Sequence, residues 1–322
     1  MKILVTGCAG FIGSKVTELL LHQGHNVVGI DNLNNAYDVR LKEWRLSQIR
    51  KNPTLTWQLL DITDQPKLSQ CFEKNNFESV INFAARAGVR QSLENPWMYY
   101  ETNLTGTLNL LELCRKYGIK KFVLASTSSI YGERERPFRE DAPTDQPISP
   151  YAASKKAAEV LCYTYHYLHK LDVSVLRYFT VFGPAGRPEM SIFRFIKWIA
   201  EGEPLALNGD GSQERDFTYV GDIAQGTVAA LRSVGYEIIN LGSDRPVAIK
   251  TIIAHLETLL GKKAQIKHFP AHPTDVTATW ADISKAKRLL GWSPQTPWEL
   301  GLQHSVEWYH QHRTWAKEVQ LP

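Results

Sequence analysis

Residues 3–13 read Ile3-Leu4-Val5-Thr6-Gly7-Cys8-Ala9-Gly10-Phe11-Ile12-Gly13. Ile3-Leu4-Val5 is a short apolar run, as expected for a strand buried on both faces. Glycines follow at Gly7, Gly10 and Gly13, and Ser14 to Gln23 reads as a helix. Missing side chains at this spacing permit a tight turn, close approach to a pyrophosphate, and close packing of helix on strand. The helix N-terminus beyond the glycines favours the phosphate charge. A second strand, Asn26 to Ile30, ends in Asp31. A carboxylate there can bind both ribose hydroxyls and would repel a 2′-phosphate, so the pattern predicts a dinucleotide site that takes NAD and not NADP.

Further along, helical and strand patterns alternate. Val39 to Ile49 reads as an amphipathic helix, Leu55 to Leu60 as a strand, Ser79 to Ala85 as a fourth strand, and Phe122 to Ala125 as a fifth. Asn95-Pro96 begins a long helix through Asn103 and Gly106 to Tyr117. This alternation predicts an α/β fold: a doubly wound parallel Rossmann sheet with a smaller, interleaved C-terminal α/β substrate domain. Asp61, with Ile62, follows the third strand where an adenine amino group could be bound; a helix cap is the other reading. Ala84-Ala85 is small enough for a ligand to lie close. Ser126-Thr127-Ser128-Ser129 follows the fifth strand, where hydroxyls face the crevice of open α/β sheets, although a serine run is also ordinary turn sequence.

Ser149-Pro150 then starts a helix that places Tyr151 and Lys155 one turn apart on one face. A phenol titrates near pH ~10. An ammonium one turn away would lower that value and make the phenol a proton acceptor for a substrate hydroxyl. The plainer reading is a packing tyrosine and a solvated lysine.

The chain has 322 residues, enough for one large or two ordinary domains. Net charge is +4, which does not suggest a nucleic-acid or membrane surface. No apolar run approaches the ~20 residues that span a bilayer. Cys8, Cys71, Cys114 and Cys162 have no metal-like spacing and read as reduced, mostly buried thiols. The start at Met1-Lys2-Ile3 leaves no room for a signal peptide, so a cytoplasmic protein is expected. His304 and His310 share a helix face but read as solvated, and no metal site is expected.

With the glycine loop, the hydroxyl-bearing strand end and Tyr-x-x-x-Lys in order, the chain resembles the extended short-chain dehydrogenase/reductase family over nearly its whole length. Within it the chain looks most like the NAD-dependent nucleotide-sugar 4-epimerases. The resemblance implies a catalytic set of Thr127, Tyr151 and Lys155. It implies a bound NAD contacted by Gly7, Gly10, Phe11, Ile12, Gly13, Asp31, Asn32, Asp61, Ile62, Ala84, Ala85, Asn103, Tyr151, Lys155 and Tyr178. Residues 1–180 would form the NAD-binding domain, its sheet completed by about 216–242; residues 181–215 and 243–322 would bind the nucleotide sugar.

Two features narrow the substrate. Related dehydratases carry Asp-Glu where Ser128-Ser129 stand, and UDP-glucuronate decarboxylases carry Glu at the Ser129 position; serines cannot replace those acids as proton carriers. Arg177-Tyr178-Phe179-Thr180 through Gly186-Arg187-Pro188-Glu189-Met190 resembles the corresponding segment of the UDP-glucuronate 4-epimerases, in which Thr180 replaces the asparagine general to UDP-glucose 4-epimerases. Ser128, Ser129 and Thr180 would donate to a C6 carboxylate. Arg90, in a matching Ala87-Gly88-Val89-Arg90 stretch, is a substrate residue by the same resemblance. So are Arg187 and Arg215 at the diphosphate, Arg215 being otherwise a plain surface arginine, and Asp275 at the uridine ribose. Arg86 and Ala185 depart from that group, which usually has glutamine and tryptophan. The expectation is a UDP-sugar 4-epimerase acting on UDP-glucuronate, with UDP-glucose epimerase, UDP-glucuronate decarboxylase and an NAD-sensing binding protein as alternatives. The helices from Asn95 and from Pro150 resemble the family's dimer-forming pair, so a homodimer is expected.

Overall fold

The computed structural model describes residues 1–271 and 276–321. Its strands are β1 (Lys2–Thr6), β2 (Asn26–Asp31), β3 (Leu55–Leu59), β4 (Ser79–Asn82), β5 (Lys121–Thr127), β6 (Asp172–Tyr178), β7 (Thr180–Phe182), β8 (Pro204–Asn208), β9 (Glu214–Tyr219), β10 (Tyr236–Leu241), β11 (Pro246–Ala248) and β12 (Gln265–Phe269). Seven of them form one parallel sheet in the order β10-β6-β5-β4-β1-β2-β3. The chain winds outward from β1 in both directions. The crevice at the switch point therefore opens between the carboxyl ends of β1 and β4, where open α/β sheets bind ligands.

The apolar run of β1 is split by strand alternation. Ile3 and Val5 join one core with the helices Phe11–His22 and Val220–Ala229, while Leu4 joins the opposite core with Val28, Val80 and Leu124. A third core lies under β7, β8 and β9, with the helices Ser191–Glu201, Ile249–Leu260 and Trp298–Gln311. It surrounds a three-stranded sheet, β11-β9-β7, beside a two-stranded pair, β12-β8. Trp292 and Trp308 are buried, and Trp298 packs on the third core. All four cysteines are unpaired and buried.

The long helix expected from Asn95 to Tyr117 is instead three pieces: Pro96–Tyr100, a π turn at Glu101–Thr105, and Gly106–Lys116. The wide turn faces Asn103 inward, where its amide takes the Arg86 N–H at 2.8 Å and donates to Arg86 O at 2.9 Å and Ser154 Oγ at 2.9 Å. Gly106 then packs on Ile62; a Cβ there would stand 2.5 Å from Ile62 Cδ1. Single π turns of this kind recur at functional sites.

Candidate active site

The glycine loop is built as a cradle. Gly7 has φ +66°, a conformation that favours glycine, and an added Cβ would lie 2.8 Å from Ala84 N. Its carbonyl accepts the Gly10 N–H at 2.9 Å, and a Cβ on Gly13 would lie 2.2 Å from that same oxygen. Gly10 caps the helix Phe11–His22 with no side-chain hydrogen bond, so the first helical amides are left for a ligand. Asp31 closes the far side: its carboxylate accepts Ala9 N at 3.1 Å and Leu33 N at 2.8 Å, with lone pairs remaining for ribose hydroxyls. A cradle that a single methyl would fill, uncapped helix amides and a carboxylate at the β2 end together fit NAD.

Asp61 does not cap the following helix; Asp64 does, accepting Lys67 N. Asp61 instead accepts Thr63 N at 2.9 Å and Asn32 Nδ2 at 2.6 Å. Burial pushes its carboxyl up, but these donors outweigh it and hold the carboxyl below the ordinary range.

β5 runs two residues past the sequence expectation, so Ser126 and Thr127 are strand residues and a 3-10 turn starts at Ser128. Thr127 Oγ1 accepts Ser129 N at 3.1 Å and donates to Ser129 Oγ at 3.1 Å. Across the crevice, Ser149 caps the helix Pro150–His169 by accepting Ala152 N at 3.2 Å. That cap brings Tyr151 into the first turn and Lys155 into the second, both facing the cavity. Tyr99 stands edge-on to Tyr151, ring centres 6.1 Å apart.

The helix is locked to the sheet from behind. Buried Glu159 accepts Arg177 Nε at 3.0 Å, Arg177 Nη2 at 2.8 Å and Ser126 Oγ at 2.6 Å. Arg177 also donates to Tyr131 Oη at 2.9 Å, and Tyr131 donates to Asn240 Oδ1 at 2.7 Å. Breaking such a pair from one side costs about 3–5 kcal/mol. The network ties β5, β6 and β10 to the helix that carries Tyr151 and Lys155.

The electrostatics differ from the sequence expectation in one respect. Burial pushes the Tyr151 phenol above its ordinary value; the groups pulling it back are the Thr127 hydroxyl and Arg187, not Lys155. Burial also lowers Lys155, to about 8, against the opposing pull of Glu159. The cation that favours loss of the phenol's proton is therefore Arg187.

The glycine loop, Asp31, Asp61, Thr127, Tyr151 and Lys155 open into one cavity of about 870 Å³, within the ~300–1,000 Å³ range of ligand sites. Of the expected site residues, Asn103 alone among those described stands behind the wall, bracing Arg86 and Ser154. Asp275 lies outside the described residues. Arg90 and Arg215 both line the cavity. With the Asn208 amide oxygen turned toward it, Arg90 donates to that oxygen at 2.6 and 3.0 Å. Ala185 is buried at φ +51°, in the turn before Arg187.

Several cavity groups escaped the sequence reading. Lys42 lines it from helix Val39–Ile49, donating to Asn34 O at 2.8 Å. Behind it, Arg45 donates to Ala185 O at 2.7 Å, Gly186 O at 3.2 Å and Ala9 O at 3.4 Å, joining the glycine loop to the Arg187 loop. Arg194 lines the cavity too, its buried Nε without a partner and its guanidinium 4.5 Å over Trp198. The sequence offered no signal for these beyond residue type, since their spacing is that of ordinary amphipathic helices.

Comparison with known proteins bears on the whole chain. The model of the NAD dependent epimerase/dehydratase family matches residues 3–242. A UDP-glucuronate 4-epimerase of Thermodesulfobacterium geofontis is 56% identical over 319 residues, covering 99% of each chain. The crystal structure of UDP-glucuronic acid 4-epimerase from Bacillus cereus, in complex with UDP-glucuronic acid and NAD, is 39% identical with a TM-score of 0.91, covering 97% of this chain and 100% of that one. A UDP-glucose 4-epimerase from Thermotoga maritima with UDP-glucose is 32% identical with a TM-score of 0.88, covering 97% of this chain and 100% of that one.

Proposed function

The chain belongs to the NAD-dependent epimerase/dehydratase family, and from that membership we propose that it interconverts UDP-glucuronate and UDP-galacturonate by inverting C4. The enzyme is an isomerase. The observation that carries the substrate assignment is the set of hydroxyls around Tyr151. Thr127, Ser128, Ser129 and Thr180 line the same cavity, and the end of β5, Ser126 to Ser129, carries no carboxylate to drive elimination or decarboxylation.

When bound, NAD supplies a reversible acceptor for the C4 hydride of the sugar. Gly7, Gly10 and Gly13 with the helix amides would hold its pyrophosphate, and Asp31 its ribose. Tyr151 takes the proton of the 4-hydroxyl and returns it after the sugar has turned. Thr127 orients that hydroxyl, and Lys155, on the same helix face, would hold a ribose hydroxyl of the cofactor. The oxidised sugar is a β-keto acid, prone to lose CO2. Ser128 and Thr180 hold its carboxylate in an orientation poor for C–C cleavage. Arg187 and Arg215 grip the diphosphate, so that binding energy comes from UDP while the pyranose stays free to rotate.

Purified protein mixed with UDP-glucuronate is expected to yield UDP-galacturonate, without CO2, followed by chromatography of the sugar nucleotides. UDP-xylose as product would reassign the protein as a decarboxylase, and faster turnover of UDP-glucose would reassign it to the neutral sugar.

The assembly proposed is a homodimer. Val160, Tyr163 and Tyr167 form an exposed apolar stripe on the helix Pro150–His169, and Trp97, 81% exposed, stands on the neighbouring Pro96–Tyr100 turn. Light scattering at micromolar concentration should give a dimer mass, and Tyr163→Glu should give a monomer. A wild-type monomer would refute the assembly. Among the described residues, no helix is long and apolar enough to cross a membrane.

A further inference from the structure

Arg187 and Glu189 flank Pro188 and both line the cavity. Arg187 Nε donates to Glu189 Oε1 at 2.6 Å, and Nη2 donates to the same oxygen. The other carboxylate oxygen, Oε2, is buried and has no hydrogen-bond partner. The Glu189 side chain is only 9% exposed. A guanidinium fork is built to meet two oxygens of a carboxylate or phosphate. Here both donors crowd onto one oxygen, and the second is desolvated without return. The pair is thus held by charge and poorly satisfied by geometry.

Its position gives the misfit a meaning. Arg187 and Glu189 line the same cavity as Tyr151, and the Arg187 charge draws the Tyr151 phenol down against its burial. Pro188 fixes the backbone between the two side chains, so separating them needs rotamer changes only. Resting on the UDP-uronate reading above, we propose that Glu189 is an internal carboxylate that holds Arg187 until an anionic group of the substrate takes its place. Exchanging one anion for another keeps the half-buried guanidinium paired throughout. It also makes substrate affinity a difference between two ion pairs, so Glu189 sets how tightly the anion is held.

The test uses the full, NAD-loaded chain and isothermal titration with UDP-glucuronate, UDP-glucose and UDP. Glu189→Gln removes the competing charge at nearly constant shape and should tighten UDP-glucuronate roughly tenfold. If the C6 carboxylate is the displacing group, UDP-glucose and UDP keep their wild-type affinities; if the diphosphate is, all three tighten. The variant should also melt earlier when free and gain more on adding UDP-glucuronate. Glu189→Asp, with a shorter reach, should fall between, and it decides the matter where Glu189→Gln does not fold. Unchanged affinity in both variants, or weaker binding of UDP-glucuronate, would overturn the proposal, the latter by placing Glu189 on a sugar hydroxyl. Wild-type protein that binds none of the three would instead overturn the substrate reading and leave Glu189 out of account.

Discussion

Tyr151→Phe should fold, keep its NAD, and lose turnover of UDP-glucuronate by about 10³-fold or more. The ring sits in the first turn of a helix fixed by the Ser149 cap and by the Glu159–Arg177 pair, and its edge-on packing against Tyr99 does not involve the hydroxyl. Phenylalanine keeps those contacts, so melting temperature should hardly change. What is lost is the group proposed to take and return the proton of the 4-hydroxyl. Thr127 cannot substitute: its hydroxyl already accepts from Ser129 N and has no base behind it. The measurement is the rate of UDP-galacturonate formation beside the NAD released on denaturing the protein. A variant that keeps more than a tenth of the wild-type rate with full NAD content would remove Tyr151 from the reaction.

The same residue shows what a sequence conveys and what it cannot. Glycine spacing, the acid ending β2 and the Tyr–Lys spacing are local patterns, and each states its geometry within one or two turns of chain. They were enough to point to the crevice and its nucleotide, and to the phenol proposed above as the proton acceptor. The environment of Tyr151 is not local. Burial raises its phenol, and the opposing influence of Arg187 comes from a loop 36 positions later. Helical spacing therefore named Lys155 as the tuning group, whereas the fold sets Thr127 and Arg187 against the phenol's burial. The π turn at Asn103 escaped for a related reason: its residues continue a good helical pattern, and only the need to reach Arg86 and Ser154 favours the wider turn. Arg177 was visible merely as part of a motif. Its fully buried fork onto Glu159 depends on β5, β6 and the helix Pro150–His169 meeting in three dimensions. Glu159 itself, one turn beyond Lys155, carries no pattern that separates it from a solvated helix glutamate.

The second large effect is expected at Gly13. Gly13→Ala should yield protein that purifies without NAD and melts several degrees lower. An added Cβ would stand 2.2 Å from Gly7 O, 3.0 Å from Gly7 C and 3.4 Å from Cys8 Cα. The nearest atom is backbone, so no side-chain rotation relieves the overlap. Gly7 has little room to retreat: its carbonyl is engaged by Gly10 N, and a Cβ on it would already stand 2.8 Å from Ala84 N and 2.9 Å from Phe83 C. The helix Phe11–His22 must therefore lift from β1, spreading the uncapped amides that would meet the pyrophosphate. Because that helix also packs on Val220–Ala229, the shift propagates into the core around Val16, Leu20 and Ile223, where lost packing typically costs about 1–3 kcal/mol. For a chain of this size that lowers the melting temperature by roughly 2–8 °C. Chromatography of nucleotide released from the denatured variant, set beside its melting curve, checks both parts. Wild-type NAD content in Gly13→Ala would mean that the pyrophosphate does not lie on this loop. Retained stability with lost NAD would place the displacement in the loop alone and leave the helix seated.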